Sequence, residues 1–270
     1  MSNSILTMKD IGINFGGLKA VDGFNIDLKA NELVGLIGPN GAGKTTVFNL
    51  ITGVYEATEG EYLLDGKPVR KASTAKLVHN GLARTFQNIR LFEDMSVLEN
   101  VMVAMNYRMK YGLLAATLRL PGYWREENER REKALELLKI FDLDHFADTN
   151  AGNLPYGKQR KLEIARAMAT NPKVLLLDEP AAGMNPTETE ELMDTIRFIR
   201  ENFNICVFLI EHDMKLVLGI CERIIVLDHG RILAKGKPQD VVRDKAVIEA
   251  YLGTAEEEEE VAEDGNAGSQ

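Results

Sequence analysis

The sequence predicts an α/β fold built on a parallel sheet, with a strand-rich N-terminal portion and a helical insertion near residues 88–160. Two observations carry that expectation. Short, wholly apolar runs (Leu33-Val34-Gly35-Leu36-Ile37, Val174 to Leu177, Ile205 to Ile210) are separated by helical patterns. Strands of that kind belong to a parallel sheet covered by helices on both faces. The first run also ends in a glycine-rich turn, Gly38-Pro39-Asn40-Gly41-Ala42-Gly43, that opens directly into a helical pattern.

The elements follow in order. Ile5 and Thr7, then Ile11, Ile13 and Phe15, alternate roughly, and Phe24-Asn25-Ile26-Asp27-Leu28 alternates cleanly, so both stretches read as strands. Thr45 to Thr52 predicts a helix closed by Gly53. Glu61 to Leu64 predicts a strand running into an Asp65-Gly66 turn. The middle of the chain is helical. Ser96-Val97-Leu98-Glu99 forms a capping box, in which the Ser and Glu side chains satisfy free backbone N–H groups reciprocally. Leu113 to Pro121 is a less regular connection, and Trp124 to Phe141 is an amphipathic helix with Ala134, Leu135, Leu138 and Phe141 on its apolar side. Another helix runs from Lys158 to Thr170 and stops at Asn171-Pro172. A helix from about Thr187 to Asn202 separates the two later apolar strands, and a third strand, Arg223 to Leu227, follows at once.

Composition narrows the class. The chain has 270 residues, 45% hydrophobic and 27% charged, as an ordinary globular protein does. Its net charge of −9 is unevenly placed, because seven acids and no Lys or Arg follow Gly253. The remainder is close to neutral and lacks the basic excess of a nucleic-acid binder. Thr254 to Gln270, acidic and poor in large apolar residues, is expected to be disordered. The first residues lack a basic stretch followed by an apolar run, and the apolar runs fall well short of the ~20 residues of a membrane span. A soluble, cytoplasmic chain is expected. Cys206 and Cys221 lie in apolar patterns without metal-like spacing and read as buried hydrophobes in a reducing compartment.

The glycine turn carries the chemistry. Gly38, Gly43, Lys44 and Thr45 meet the pattern G-x-x-x-x-G-K-[ST] between a strand and a helix. Backbone N–H groups from Gly38 to Thr46, Pro39 excepted, can converge on phosphate oxygens, and the helix N-terminus adds positive dipole. Lys44 can reach the β- and γ-phosphates, and the Thr45 hydroxyl can ligate Mg²⁺. Such a P-loop needs a metal-holding carboxylate at the end of a nearby buried strand. Asp178 follows Val174-Leu175-Leu176-Leu177 and fits that role, while the adjacent Glu179 can polarise the attacking water. His212 ends the Ile205 to Ile210 strand, on the side where a γ-phosphate would lie. The residues therefore describe an ATP and Mg²⁺ site.

These pieces, with Leu154-Pro155-Tyr156-Gly157-Lys158-Gln159-Arg160 just ahead of the Asp178-Glu179 strand, resemble the ATPase subunits of ATP-binding cassette (ABC) transporters from residue 1 to about 253. The resemblance implies a P-loop NTPase core at about 1–87 and 160–253, with an N-terminal antiparallel β subdomain and a helical subdomain at about 88–159. It implies that Tyr156, Gly157 and Lys158 belong to a signature clasping the γ-phosphate of ATP on a second ATPase subunit. It makes Gln87 the link between Mg²⁺, water and the membrane partner, His212 the switch histidine, and Ala182-Gly183-Met184-Asn185-Pro186 the loop through which the subunits sense each other. Phe15 matches the aromatic that stacks on adenine; a strand-core aromatic is the alternative. The signature departs from L-S-G-G-Q: Pro155 brings neither hydroxyl nor N–H, which suggests a heterodimer with unequal sites, although a homodimer also fits.

The stretch from Leu154 to Arg166, Asp178 to Pro186, Ile210 to Met214, the segment Asn106 to Glu127 and the ending Ala250-Tyr251-Leu252-Gly253 resemble one ATPase subunit of the bacterial branched-chain amino acid importers. That implies two membrane permeases, a periplasmic binding protein reached indirectly, and a place on the inner face of the cell membrane. Arg90, Leu91, Phe92 and Met95 are candidates for the permease contact. Urea or amide importers and the lipopolysaccharide export ATPase are the nearest rivals. A non-transport ABC ATPase on ribosomes or DNA fits less well, since those carry paired cassettes or basic surfaces. Nucleotide kinases and GTPases lack the Leu154 to Arg160 signature.

Overall fold

The computed structural model describes residues 4–69, 71–106 and 121–251. The acidic stretch from Thr254 and residues 113–120 of the expected connection lie outside the described residues; Pro121 already opens a helix. In chain order the elements are β1 (Ser4–Phe15), β2 (Leu18–Lys29), β3 (Leu33–Ile37), α1 (Lys44–Ile51), β4 (Glu59–Leu64) and β5 (Lys67–Pro68). Then come α2 (Thr74–His79), β6 (Leu82–Arg84), α3 (Val97–Ala104), α4 (Pro121–Ile140), α5 (Tyr156–Met168), β7 (Val174–Asp178) and α6 (Pro186–Phe203). The chain closes with β8 (Cys206–Ile210), α7 (Met214–Ile220), β9 (Arg223–Asp228), β10 (Arg231–Gly236) and α8 (Pro238–Val241). Two compact units result: one from the chain up to Thr74 together with the chain from Cys206 onward, the other Ala75–Ile205.

The first unit holds an antiparallel sheet in the order β2-β1-β4-β5. β1 is a single long strand rather than two short ones. Its buried side switches from Leu6 and Met8 to Ile11 and Ile13 across a register shift, where Asp10 takes φ 50°. A side-chain period of two makes any such shift exchange the two faces. Beside this sheet in the same unit, β3 pairs in parallel with both β8 and β9, and β10 adds an antiparallel edge to β9. Every residue of β3 and β8 is buried, as their continuous apolar sequence requires. α1 buries Val47, Phe48, Leu50 and Ile51, and the Phe48 ring lies 5.2 Å from that of Phe208 on β8.

α7 interrupts the expected direct passage from β8 to β9. Its run Met214-Lys215-Leu216-Val217-Leu218 reads locally as strand or helix, but Asp213 caps the backbone N–H groups of Lys215 and Leu216 and commits it to a helix.

In the second unit β6 and β7 pair in parallel, Leu82 opposite Val174 through Arg84 opposite Leu176. α3 starts with the predicted capping box: Glu99 N donates to Ser96 Oγ, and Ser96 N donates to Glu99 Oε2. α4 buries Ala134, Leu137 and Leu138, and Phe141 just past its end is buried as well, while Leu135 is only half-buried.

Candidate active site

The glycine turn leaves β3 and enters α1 as its sequence dictates. Gly38 and Gly43 take φ 153° and 98°, and a Cβ on them would lie 2.1 Å from the Leu227 carbonyl oxygen and 2.9 Å from that of Ala20. Backbone this close admits only glycine. The loop is braced from behind, since Gly230 N donates to Ala42 O and Asp22 N donates to Gly230 O. Lys44 is buried, and its Nζ donates to the carbonyls of Gly38 and Pro39, each at 2.7 Å. Thr45 is exposed and Thr46 half-buried at the first turn of α1, while Asn40 and Gly41 form the exposed crest of the loop. A helix opening behind convergent backbone N–H groups favours an anion.

In the same unit His212 stands exposed in the turn after β8, its backbone N donating to the buried Glu211 carboxylate at 3.1 Å. Phe15 ends β1 with 44% of its surface exposed, so the strand-core alternative is wrong. Its ring meets Tyr55 edge-on at 5.1 Å.

The second unit gathers the acids. Asp178 ends β7, buried, with Oδ2 accepting from Arg84 Nη2 at 2.7 Å. Glu179 follows at φ 47° and accepts from Gln87 Nε2 at 2.7 Å, so the water-polarising and metal-linking candidates already touch. The signature opens α5 with Pro155 as N-cap and no side-chain cap, Tyr156 exposed and Gly157 buried. A Cβ on Gly157 would lie 2.6 Å from Glu188 Oε1, and one on Gly183 would lie 3.1 Å from the Tyr156 ring. The signature therefore packs against the Ala182 to Pro186 loop. Lys158 turns aside, with Nζ 4.8 Å from the centre of the Phe146 ring.

A family model described as ABC transporter matches residues 21–182, more than half of the chain. The chain belongs to the ABC transporter family. A second model, described as Branched-chain amino acid ATP-binding cassette transporter, matches residues 231–257 of this cassette. The high-affinity branched-chain amino acid transport ATP-binding protein BraF of Pseudomonas aeruginosa is 46% identical over 94% of this chain and 100% of its own. The crystal structure of another ABC transporter's ATP-binding cassette in its ADP conformation superposes with a TM-score of 0.81 at 33% identity, covering 93% of this chain and 99% of that one. A dimeric cassette in a post-hydrolysis state, bound to ADP and phosphate, gives a TM-score of 0.72 at 27% identity over 86% of this chain and 98% of that one. This ABC cassette is thus an ATPase of the P-loop α/β class. Among its described residues no helix is long and apolar enough to cross a membrane.

Arg84 was not foreseen. Nothing in the period of a three-residue strand marks its last residue as the partner of a carboxylate 94 positions away. Arg160 and Glu163, fully buried on α5, lie within the signature stretch, whose pattern does not mark them as partners. A hint was present, because charged side chains on the buried side of a helix require partners.

Proposed function

We propose that this cassette powers a membrane importer of branched-chain amino acids. The observation that carries the substrate is the 46% identity to BraF over 94% of this chain and 100% of that protein, together with the short match at 231–257. The cassette hydrolyses ATP as follows. Backbone N–H groups from Gly38 to Thr46, Pro39 excepted, hold the phosphates, Lys44 moves from its loop carbonyls to the β- and γ-oxygens, and Phe15 stacks on adenine. Glu179 polarises a water whose oxygen bonds to the γ-phosphorus as the bond to ADP breaks, and Gln87 and His212 orient that water and the γ-phosphate.

Mg²⁺ suits the donors on offer, all of them hard oxygens: the Thr45 hydroxyl, the Asp178 carboxylate and the Gln87 amide oxygen. When bound it neutralises charge on the β- and γ-phosphates. The 2.7 Å ion pair with Arg84 holds the Asp178 carboxylate in place for that role.

A second ATPase subunit completes each site with its own signature, and Tyr156, Gly157 and Lys158 serve the partner's nucleotide; the dimeric relative supports this reading. Two permease subunits hold the pair at the inner face of the membrane, and a periplasmic binding protein delivers the amino acid. The helical subdomain at 88–159 acts as the lever, with Arg90, Leu91, Phe92 and Met95 against a permease. Opening after hydrolysis is a population shift, because contacts made only with the γ-phosphate are lost. Uptake of labelled leucine by cells dependent on this system tests the assignment. Lys44→Ala should abolish uptake, and unchanged uptake in a strain making the variant at normal level refutes it.

A further inference from the structure

Arg160 is the largest fully buried side chain among the described residues, and most of its hydrogen bonds leave its own helix. Its Nη1 donates to the carbonyl of Phe86 at 2.7 Å and to Glu163 Oε2 at 2.9 Å, and its Nη2 donates to the carbonyl of Gln87 at 2.6 Å. Glu163, one turn further along α5, uses its other oxygen, Oε1, to accept from Arg90 N at 3.2 Å. A third residue of the same helix, Arg166, reaches the carbonyl of Arg90. Residues 86–91 contain no helix or strand, so their backbone has no ladder of its own to hold it. Three side chains of α5 take that place. They bind two carbonyls next to each other and both polar groups of Arg90.

The consequence lies on the other side of Gln87. Its backbone is fixed to α5 by Arg160, while its side chain donates to Glu179 Oε2 at 2.7 Å. A guanidinium is planar and always charged, and it can engage two carbonyls and a carboxylate at once, which an ammonium on a flexible stem cannot do with the same geometry. Burial pushes the Glu163 carboxyl above its ordinary range and the neighbouring Arg160 opposes that shift, as in a pair whose members depend on each other. All of these residues belong to the unit Ala75–Ile205.

We propose that Arg160, oriented by Glu163, is a positioning residue that fixes Gln87 against Glu179 and so carries displacements of the signature helix to the hydrolytic carboxylate of the same chain. It rests on the reading of Gln87 and Glu179 as catalytic groups. The partner's nucleotide, clasped at the start of α5, would then set the geometry of hydrolysis at this chain's own site through a rigid connection of one helical turn.

A double-mutant cycle on the full-length chain assembled with its partner ATPase subunit tests this, with steady-state ATP hydrolysis measured against ATP concentration and thermal unfolding measured in parallel. Arg160→Lys should lower kcat on the order of tenfold or more, the scale of a misplaced catalytic group, with KM little changed. In a Gln87→Ala background the same substitution should change kcat by less than about twofold, since residues acting through one another are not additive. Equal fold-losses in both backgrounds, or an unchanged kcat in folded Arg160→Lys, would overturn the inference. If Gln87→Ala alone leaves kcat unchanged, the catalytic reading of Gln87 falls, and the inference falls with it. Should Arg160→Lys not fold, Glu163→Gln, which keeps the acceptor for Arg90 N, replaces it in the same cycle under the same criteria.

Discussion

Lys44, Asp178, Arg160 and Glu163 are charged and buried, and each has named partners within its own unit. Burying an unpaired charge is too costly to persist, so these pairings mark where the chain concentrates its chemistry. The cysteines show the opposite case. Cys206 and Cys221 are buried among apolar side chains, and burial pushes both thiols well above their ordinary range. A thiol attacks only as thiolate. The native chain should therefore leave both unmodified by a maleimide at pH 8 over a time in which the urea-unfolded chain labels completely. Labelling of either one in the folded chain would show that its strand or turn opens locally. At this scale the motif residues were legible, because Gly38, Gly43, Lys44 and Thr45 sit at spacings fixed by one turn of backbone. Their partners were not, because Arg84 and Asp178 meet across 94 positions and no local period records that.

Elements with end signals were the most legible. The Ser96-Glu99 box stands where it was read, and Asn185 with Glu188 repeats the device at α6. Ser96→Ala leaves one first-turn N–H of α3 without its acceptor and should cost about 1 kcal/mol, read as a lower urea midpoint with an unchanged slope. A change within experimental error would mean that the Val97 N to Thr149 O and Leu98 N to Ala147 O bonds hold that end unaided. α7, β6 and β10 escaped the sequence reading for different reasons. α7 is seven residues of mostly apolar sequence whose period is ambiguous over two turns. β6 has three residues, and β10 alternates half-buried with exposed positions at a sheet edge, where the apolar signal is weak.

For the whole molecule, the departures at the signature matter most. Pro155 is the N-cap of α5 and supplies neither a hydroxyl nor an N–H, so under the proposed dimer the signature would give a partner's nucleotide one contact fewer than serine does. In a heterodimer the two sites should then differ. Glu179→Gln in this chain and the corresponding change in its partner are expected to reduce ATP turnover unequally; equal losses refute the asymmetry. Removing Thr254 to Gln270, a stretch too acidic and too poor in apolar residues to build a core, should leave both turnover and melting temperature unchanged, and a marked loss of turnover would give it a role. The sequence by itself determined the class of the molecule: a phosphate loop between strand and helix, acids at a strand end, and a signature ahead of them. Each of those is written within a few residues, at spacings that backbone geometry fixes. Only the tertiary structure decided that Asp10 reverses the face of β1, that Phe15 is exposed, and that Arg84 and Arg160 hold Asp178 and the Gln87 loop. Those outcomes depend on which distant segments are brought together to satisfy buried charge and backbone, and no local pattern carries that information.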